Sequence, residues 1–274
     1  MDHGKGMMAA DAAVGDSQLR EFPMGKANFE KVRKNELCLY VDKTAILAPL
    51  LANAVDSFFL ARPRMFGKSL LISTLKAIFE GKRELFEGLA ITTDPALRDC
   101  VDWKEYPIIY LDFSKLEVAK GLDLLEKQLI ERLQAIASSY GVDVTVTPPA
   151  DVPVVTDKLI LGLSELGEQH GLGRNCVVIL VDEYDAPIVG VLDANGGGAQ
   201  EKAKANANVM SAFFKIVKAC SAERKFTFVT GVSKFGKTAL FSSPNFLRDI
   251  TRPEIFGHFG IHVEGDCLVI RCTT

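Results

Sequence analysis

No apolar run in the sequence is long enough to cross a bilayer, and none near the N-terminus would serve as a secretory signal. The opening residues MDHGKGMMAADAAVGDSQLREF read instead as a short disordered lead, residues 1–28. A charge excess of one sign is also missing. The chain has 32 Lys and Arg against 35 Asp and Glu, a net charge of −3. Such a balance sets up no field for a polyanion, so nucleic acid is not an expected partner. Zinc-ribbon spacing is absent as well, because none of Cys38, Cys100, Cys176, Cys220, Cys267 and Cys272 forms a pair two residues apart. Reduced thiols of an intracellular protein are expected in preference to a metal or disulfide site. No internal repeat is found. With membrane-spanning, secreted and polyanion-binding classes set aside, a soluble intracellular protein is expected, cytoplasmic or nuclear.

An ample core is present: 48% of the 274 residues are apolar, enough for one large domain. Four short runs are continuously apolar and read as buried strands: Ser57–Ala61, Pro107–Phe113, Cys176–Val181 and Lys225–Thr230. Helical stretches separate them, at Lys68–Glu80, Gly121–Ser138, Asp157–Gln169 and Glu201–Ala222. The proline-rich Val144–Pro153 reads as a surface connection, and Asp193–Asn208, with its three glycines, as a loop at its start. Residues 264–274 read either as one more strand around Cys267–Cys272 or as a ragged terminus. Strands alternating with helices predict an α/β three-layer sandwich around a mostly parallel sheet of about five strands.

Two segments resemble the phosphate-binding pattern G-x-x-x-x-G-K-[ST]. In that motif backbone N–H groups of a tight loop surround a phosphate, Lys neutralises charge, and the hydroxyl holds Mg²⁺ at a helix N-terminus. The literal match is Gly231-Val-Ser-Lys-Phe-Gly236-Lys237-Thr238. The other, Arg62-Pro63-Arg64-Met65-Phe66-Gly67-Lys68-Ser69, has Arg in place of the first Gly. Context favours the second of these. A helix of about three turns can follow Ser69, whereas the turn cluster Ser242-Ser243-Pro244-Asn245 leaves little room after Thr238. Only the Arg62–Ser69 segment has an acidic strand end downstream of it. That strand is Val177–Val181, followed by Asp182 and Glu183. Asp182 is expected to hold Mg²⁺ and Glu183 to polarise the attacking water; taken alone, the pair reads equally as solvated acids at a strand end. Thr230 and Ser233, at the exit of the last strand, are candidate sensors of the γ-phosphate, with a simple polar turn as the equal alternative.

The boxes Tyr40–Thr44 (YVDKT), Leu60–Leu70 (LARPRMFGKSL), Ile109–Ser114 (IYLDFS), Val181–Pro187 (VDEYDAP) and Thr230–Phe235 (TGVSKF), with Leu240-Phe241-Ser242 after them, resemble the predicted AAA-ATPase-like family over Phe29 to Thr251. The resemblance implies a P-loop ATPase domain, 29–252, using ATP and Mg²⁺, with a homo-oligomer or a partner protein. It implies a nucleotide site at Arg62, Pro63, Arg64, Met65, Phe66, Gly67, Lys68, Ser69 and Leu70, metal ligation by Ser69 and Asp182, and catalysis by Lys68 and Glu183. The family's usual cradle reads R-P-R-R-F-G-K-S, so Arg62 fits it and Met65 departs from it. Asp42 reads as a helix cap in preference to an adenine or ribose contact. Asp112 stays unassigned, and Arg248 and Arg252 read as surface ion pairs before phosphate sensors. The family often carries a C-terminal nuclease-like domain of the PD-(D/E)XK kind. The 23 residues after Thr251 lack its spaced carboxylates and Lys, so no nuclease activity is expected; the chain reads as a truncated, fragmentary or diverged member with a short tail, 253–274. The leading expectation is ATP hydrolysis coupled to conformational change or assembly. A non-catalytic nucleotide switch or scaffold is the alternative, and a P-loop kinase a weaker one.

Overall fold

The computed structural model describes residues 27–52, 57–117, 123–146, 151–193, 198–233 and 246–251, with two further strands at 261–264 and 267–270. Lys237, Thr238, Arg252, Cys272, nearly all of the expected N-terminal lead and much of the expected tail lie outside them.

Five strands form the main sheet: β1 (Ser57–Ala61), β2 (Ile108–Asp112), β3 (Val177–Asp182), β4 (Arg224–Gly231) and β5 (Arg248–Asp249). Their order is β2-β3-β4-β1-β5 and every pair is parallel. The β1 strand therefore lies beside β4, with the acidic strand β3 beyond it. The fifth strand is not the Cys267–Cys272 run. Cys267–Ile270 (β7) pairs antiparallel with Ile261–Glu264 (β6) in a separate two-stranded sheet. The fifth place goes to Arg248–Asp249, a two-residue edge strand paired with Phe58 and Phe59.

The helices are α1 (Phe29–Arg33), α2 (Ala48–Leu51), α3 (Lys68–Phe79), α4 (Ala90–Thr93), α5 (Leu124–Ser139), α6 (Val152–Gln169), α7 (Ala186–Asp193) and α8 (Ala199–Ala219). From β1 to β2 the chain moves across the sheet in one direction, and from β2 to β3 and β3 to β4 in the other. Right-handed crossovers then put α3 on one face and α5, α6, α7 and α8 on the opposite face. The packing agrees. Helix α3 lies against α1, β3 and β4, while α6 lies between α5 and α8, and α7 against α8. Helix α5 buries Leu125, Leu129, Leu133 and Ala137, one every four residues, which is one face of a helix. Each such leucine contributes about 1.5–3 kcal/mol by leaving water. All six residues of β3 are buried, as expected for a central strand covered on both faces.

Two helices begin earlier than the sequence predicts. The segment Val144–Pro153, read as a connection, already contains the start of α6. The Asp151 side chain accepts a 2.8 Å hydrogen bond from Val154 N–H, capping the helix. Pro153 falls in the first turn, where its missing N–H costs nothing. Likewise most of Asp193–Asn208 is helical, since α8 starts at Ala199, directly after Gly198 in a left-handed conformation. Among the described residues no helix is long and apolar enough to cross a membrane. Cys38, Cys100, Cys176 and Cys220 are not in disulfides.

Candidate nucleotide site

Parallel strands all open their carboxyl ends to the same edge of the sheet, and ligands of such folds sit there. At this edge β1 leads into the loop 62–67 and then α3. Gly67 caps α3 at φ +74° and offers no side chain to the first-turn amides. The neighbouring Met65 is also left-handed, at φ +69°, a conformation costing an L-residue about 1–2 kcal/mol. Met65 is 81% exposed, so it packs little against the rest of the described residues. Pro63, Arg64, Phe66 and Gly67 are exposed too, while Arg62, Ser69 and Leu70 are half-buried. Arg62 N–H donates to Gly231 O at 3.1 Å, tying the loop to β4.

Lys68, the first residue of α3, is buried, and its Nζ donates to Arg62 O at 2.9 Å and Pro63 O at 3.0 Å. Burial pulls the ammonium below its ordinary pKa, while the carboxylates of Glu183, Asp182 and Asp185 oppose that shift. A cation from β1–α3 thus faces three acids from the end of β3.

Those acids are arranged by a turn. Asp182 is the last residue of β3 and is buried; its Oδ1 accepts the Thr230 hydroxyl at 2.5 Å and Glu183 N–H at 3.1 Å. Adjacent residues on a regular strand point to opposite faces. Glu183 escapes that alternation because it adopts φ +50°. Of the three non-glycine residues at positive φ among the described residues, Met65 and Glu183 border this edge, and strain of this kind concentrates at functional sites. Burial raises the Glu183 carboxyl above its ordinary pKa, and Asp182, Asp112 and Asp185 add to the rise against the pull of Lys68.

Asp112 ends β2 in register with Asp182. It accepts from Ser114 and pairs with Lys115 at 2.8 Å, while acting on Glu183 from a distance. Asp42 accepts from Thr44 N–H at 2.8 Å and from Ala90 N–H at 2.7 Å, so it shapes its own turn and ties it to the start of α4, while the N-cap of the short helical turn Thr44–Ile46 is Lys43. A cavity of about 270 Å³ opens beside Glu183, lined among others by Arg64, Phe113, Leu116, Val189 and Ser233.

Two contributors to the site have no assigned role in the sequence reading. Asp185 is buried and accepts from the backbone N–H groups of Val232 and Ser233, and the Tyr184 hydroxyl donates to Ser233 O. Their partners lie about fifty residues on, and the one sequence signal is an acid immediately before Ala186-Pro187. Gly231, the leading glycine of the literal phosphate-loop match, has a different reason to be glycine. A Cβ there would meet the Tyr184 ring at 2.5 Å and Asp185 Oδ1 at 2.7 Å. Gly236, Lys237 and Thr238 of that match lie outside the described residues.

Among the described residues no group of three His, Cys, Asp or Glu side chains could hold a metal ion by itself. Asp182 nonetheless suits a hard cation. Both hydrogen bonds it accepts fall on Oδ1, which leaves Oδ2 for the ion or its water. One carboxylate plus substrate phosphates is the usual Mg²⁺ donor set.

A family model described as Predicted AAA-ATPase matches residues 23–241. A protein from Azotobacter chroococcum mcd 1, described as "Uncharacterized protein in vnfD 5'region", is 31% identical over 233 residues, covering 85% of this chain and 41% of that protein. The chain therefore spans about two-fifths of that relative's length. No solved structure matches it. The family match runs through β1, the loop 62–67, β3 and β4, and so takes in every element of the edge described above: the chain belongs to the predicted AAA-ATPase family.

Proposed function

We propose that the chain binds ATP with Mg²⁺ at the β1–α3 loop and hydrolyses it, with the energy used to change conformation or assembly. The observation that carries this reading is the placing of buried Lys68 and of the Asp182–Glu183 turn at one sheet edge, close enough for their charges to act on each other. A cation alone would serve binding; the turned Glu183 beside it serves chemistry.

In this reading the backbone N–H groups of Arg64 to Gly67 and the first-turn amides of Lys68, Ser69 and Leu70 enclose the phosphates, while the Arg62 N–H stays bonded to Gly231 O. Lys68 exchanges the carbonyls of Arg62 and Pro63 for phosphate oxygens. Two neutral acceptors give way to anionic ones, so the exchange favours nucleotide. Ser69 and Asp182 hold the Mg²⁺, directly or through water. That ion would supply positive charge to offset the negative charge of the phosphates. Glu183 orients the attacking water and takes its proton. A carboxyl raised above its ordinary pKa is the better base near neutral pH, and a positioned base contributes roughly 10²–10⁴ in rate. Thr230, bonded to Asp182, and Ser233 are the residues to sense the γ-phosphate.

Calorimetric titration with ATP, with and without Mg²⁺, tests the binding half. Lys68→Ala is expected to abolish measurable affinity. Unchanged affinity in that variant would contradict the assignment of the loop.

A further inference from the structure

Regular pairing between β3 and β4 ends at Val181 and Val229. Beyond it the two chains stay joined by other means. The Thr230 hydroxyl donates to Asp182 Oδ1, and Tyr184 N–H donates to Thr230 O at 2.9 Å. The Tyr184 hydroxyl donates to Ser233 O at 2.9 Å. Asp185 accepts Val232 N–H on both carboxylate oxygens, at 3.0 and 3.2 Å, and Ser233 N–H at 2.7 Å. Of the four residues 182–185, three are thus bonded across to 230–233. Glu183 is the exception, and it is the one at φ +50°. The stitching is close-packed, because Gly231 leaves no room for a Cβ against Tyr184 and Asp185.

A buried carboxylate is costly unless fully hydrogen-bonded. Here the cost is met by backbone N–H groups of the segment that also carries the sensor candidates Thr230 and Ser233. We propose that Asp185, assisted by Tyr184, is a positioning residue that makes the Glu183 turn and the β4 exit one body, so that a γ-phosphate felt at Thr230 and Ser233 is transmitted to Glu183. This rests on the ATPase reading above. In this proposal Asp185 acts through the backbone of Val232 and Ser233. Removing it takes away the bonds to Val232 and Ser233 N–H, so that Ser233 is tied to the turn by the Tyr184 hydroxyl while Thr230 keeps its bonds to Asp182 and Tyr184; the hydrogen bonds of Lys68 to Arg62 O and Pro63 O do not involve it.

The test compares the wild-type full chain with Asp185→Asn and Tyr184→Phe. Asp185→Asn keeps the volume but offers one acceptor oxygen to two N–H groups. Tyr184→Phe removes a single hydroxyl and stands in should the first variant fail to fold. Hydrogen exchange is followed at the amides of 183–185 and 230–233, with and without a non-hydrolysable ATP analogue. In wild type the analogue is expected to slow both segments together. In the variants it is expected to slow 230–233 and leave 183–185 unaffected, with ATP affinity within about threefold of wild type. Turnover is expected to fall roughly 10- to 100-fold in Asp185→Asn at unchanged KM, as for a base displaced by about an ångström. Both segments responding in the variants as in wild type would overturn the proposal, as would a wild type in which neither responds. Wild type that binds ATP without turnover would sink the ATPase reading, and the exchange comparison would still decide the coupling.

Discussion

Gly231→Ala offers a stringent test of how the site is packed. The new Cβ would lie 2.5 Å from both Cδ1 and Cε1 of Tyr184 and 2.7 Å from Asp185 Oδ1. All three distances are too short for carbon, so something must move. Tyr184 has little freedom to do so. It is buried, its ring meets Phe59 edge-on at 5.3 Å between centroids, and its hydroxyl is bonded to Ser233 O. Forcing extra volume into such a packed region costs about 1–3 kcal/mol. Loss of the Tyr184 hydroxyl bond adds roughly 0.5–1.5 kcal/mol. The expected destabilisation is thus about 1.5–4.5 kcal/mol, read by urea unfolding. A double-mutant cycle locates the cause: in a Tyr184→Ala background, Gly231→Ala is expected to cost about 1 kcal/mol or less, because the two closest contacts, both with the Tyr184 ring, are gone. A Gly231→Ala protein within about 0.5 kcal/mol of wild type would refute the close approach of β4 to the β3 turn.

Three other outcomes are expected. Gly67→Ala should lower stability by about 1–2 kcal/mol through backbone strain alone, since Gly67 is at φ +74° and an added methyl group would meet no atom within 4 Å, and calorimetry should find weaker ATP binding. The kcat/KM profile, which reports the free protein, should fall on its acid side at a pH above the ordinary Glu value of 4.5, because the proposed base Glu183 acts deprotonated and its pKa in the free protein is raised; a limb at or below 4.5 would contradict this. Mg²⁺ alone should give no calorimetric signal, and Mg²⁺ with ATP a clear one, because no group of three ligating side chains is assembled among the described residues.

Much of the architecture was legible from sequence for a definite reason. Strands β1 to β4 are continuous apolar runs between helical periods, and the pattern carries both their place and their burial. Strand β5 was illegible because it is two charged residues, Arg248 and Asp249, drawn into an edge by pairing with β1. Helix α7 was hidden by Pro187, which reads as a turn until it is seen in a first turn. The start of α8 was masked by the glycines before Ala199. At the site, Lys68, Asp182 and Glu183 are recognisable because each sits at a fixed offset from its strand or loop. That both acids could serve one site depended on a break after Asp182, and the positive φ of Glu183 supplies it. Asp185 and Tyr184 depend on reaching residues 230–233 across the sheet edge, and no local pattern encodes that reach.

The central claim is that this sheet edge hydrolyses ATP with Glu183 as the base. The most direct measurement is phosphate release at saturating ATP and Mg²⁺ by wild type and Glu183→Gln, beside calorimetric ATP affinity of the same proteins. The account predicts turnover by wild type, retained affinity in the variant, and a loss of turnover of roughly two to four orders of magnitude. Equal turnover by the two proteins would contradict the role of Glu183, and ATP binding by wild type with no phosphate release would leave a nucleotide switch in place of an enzyme.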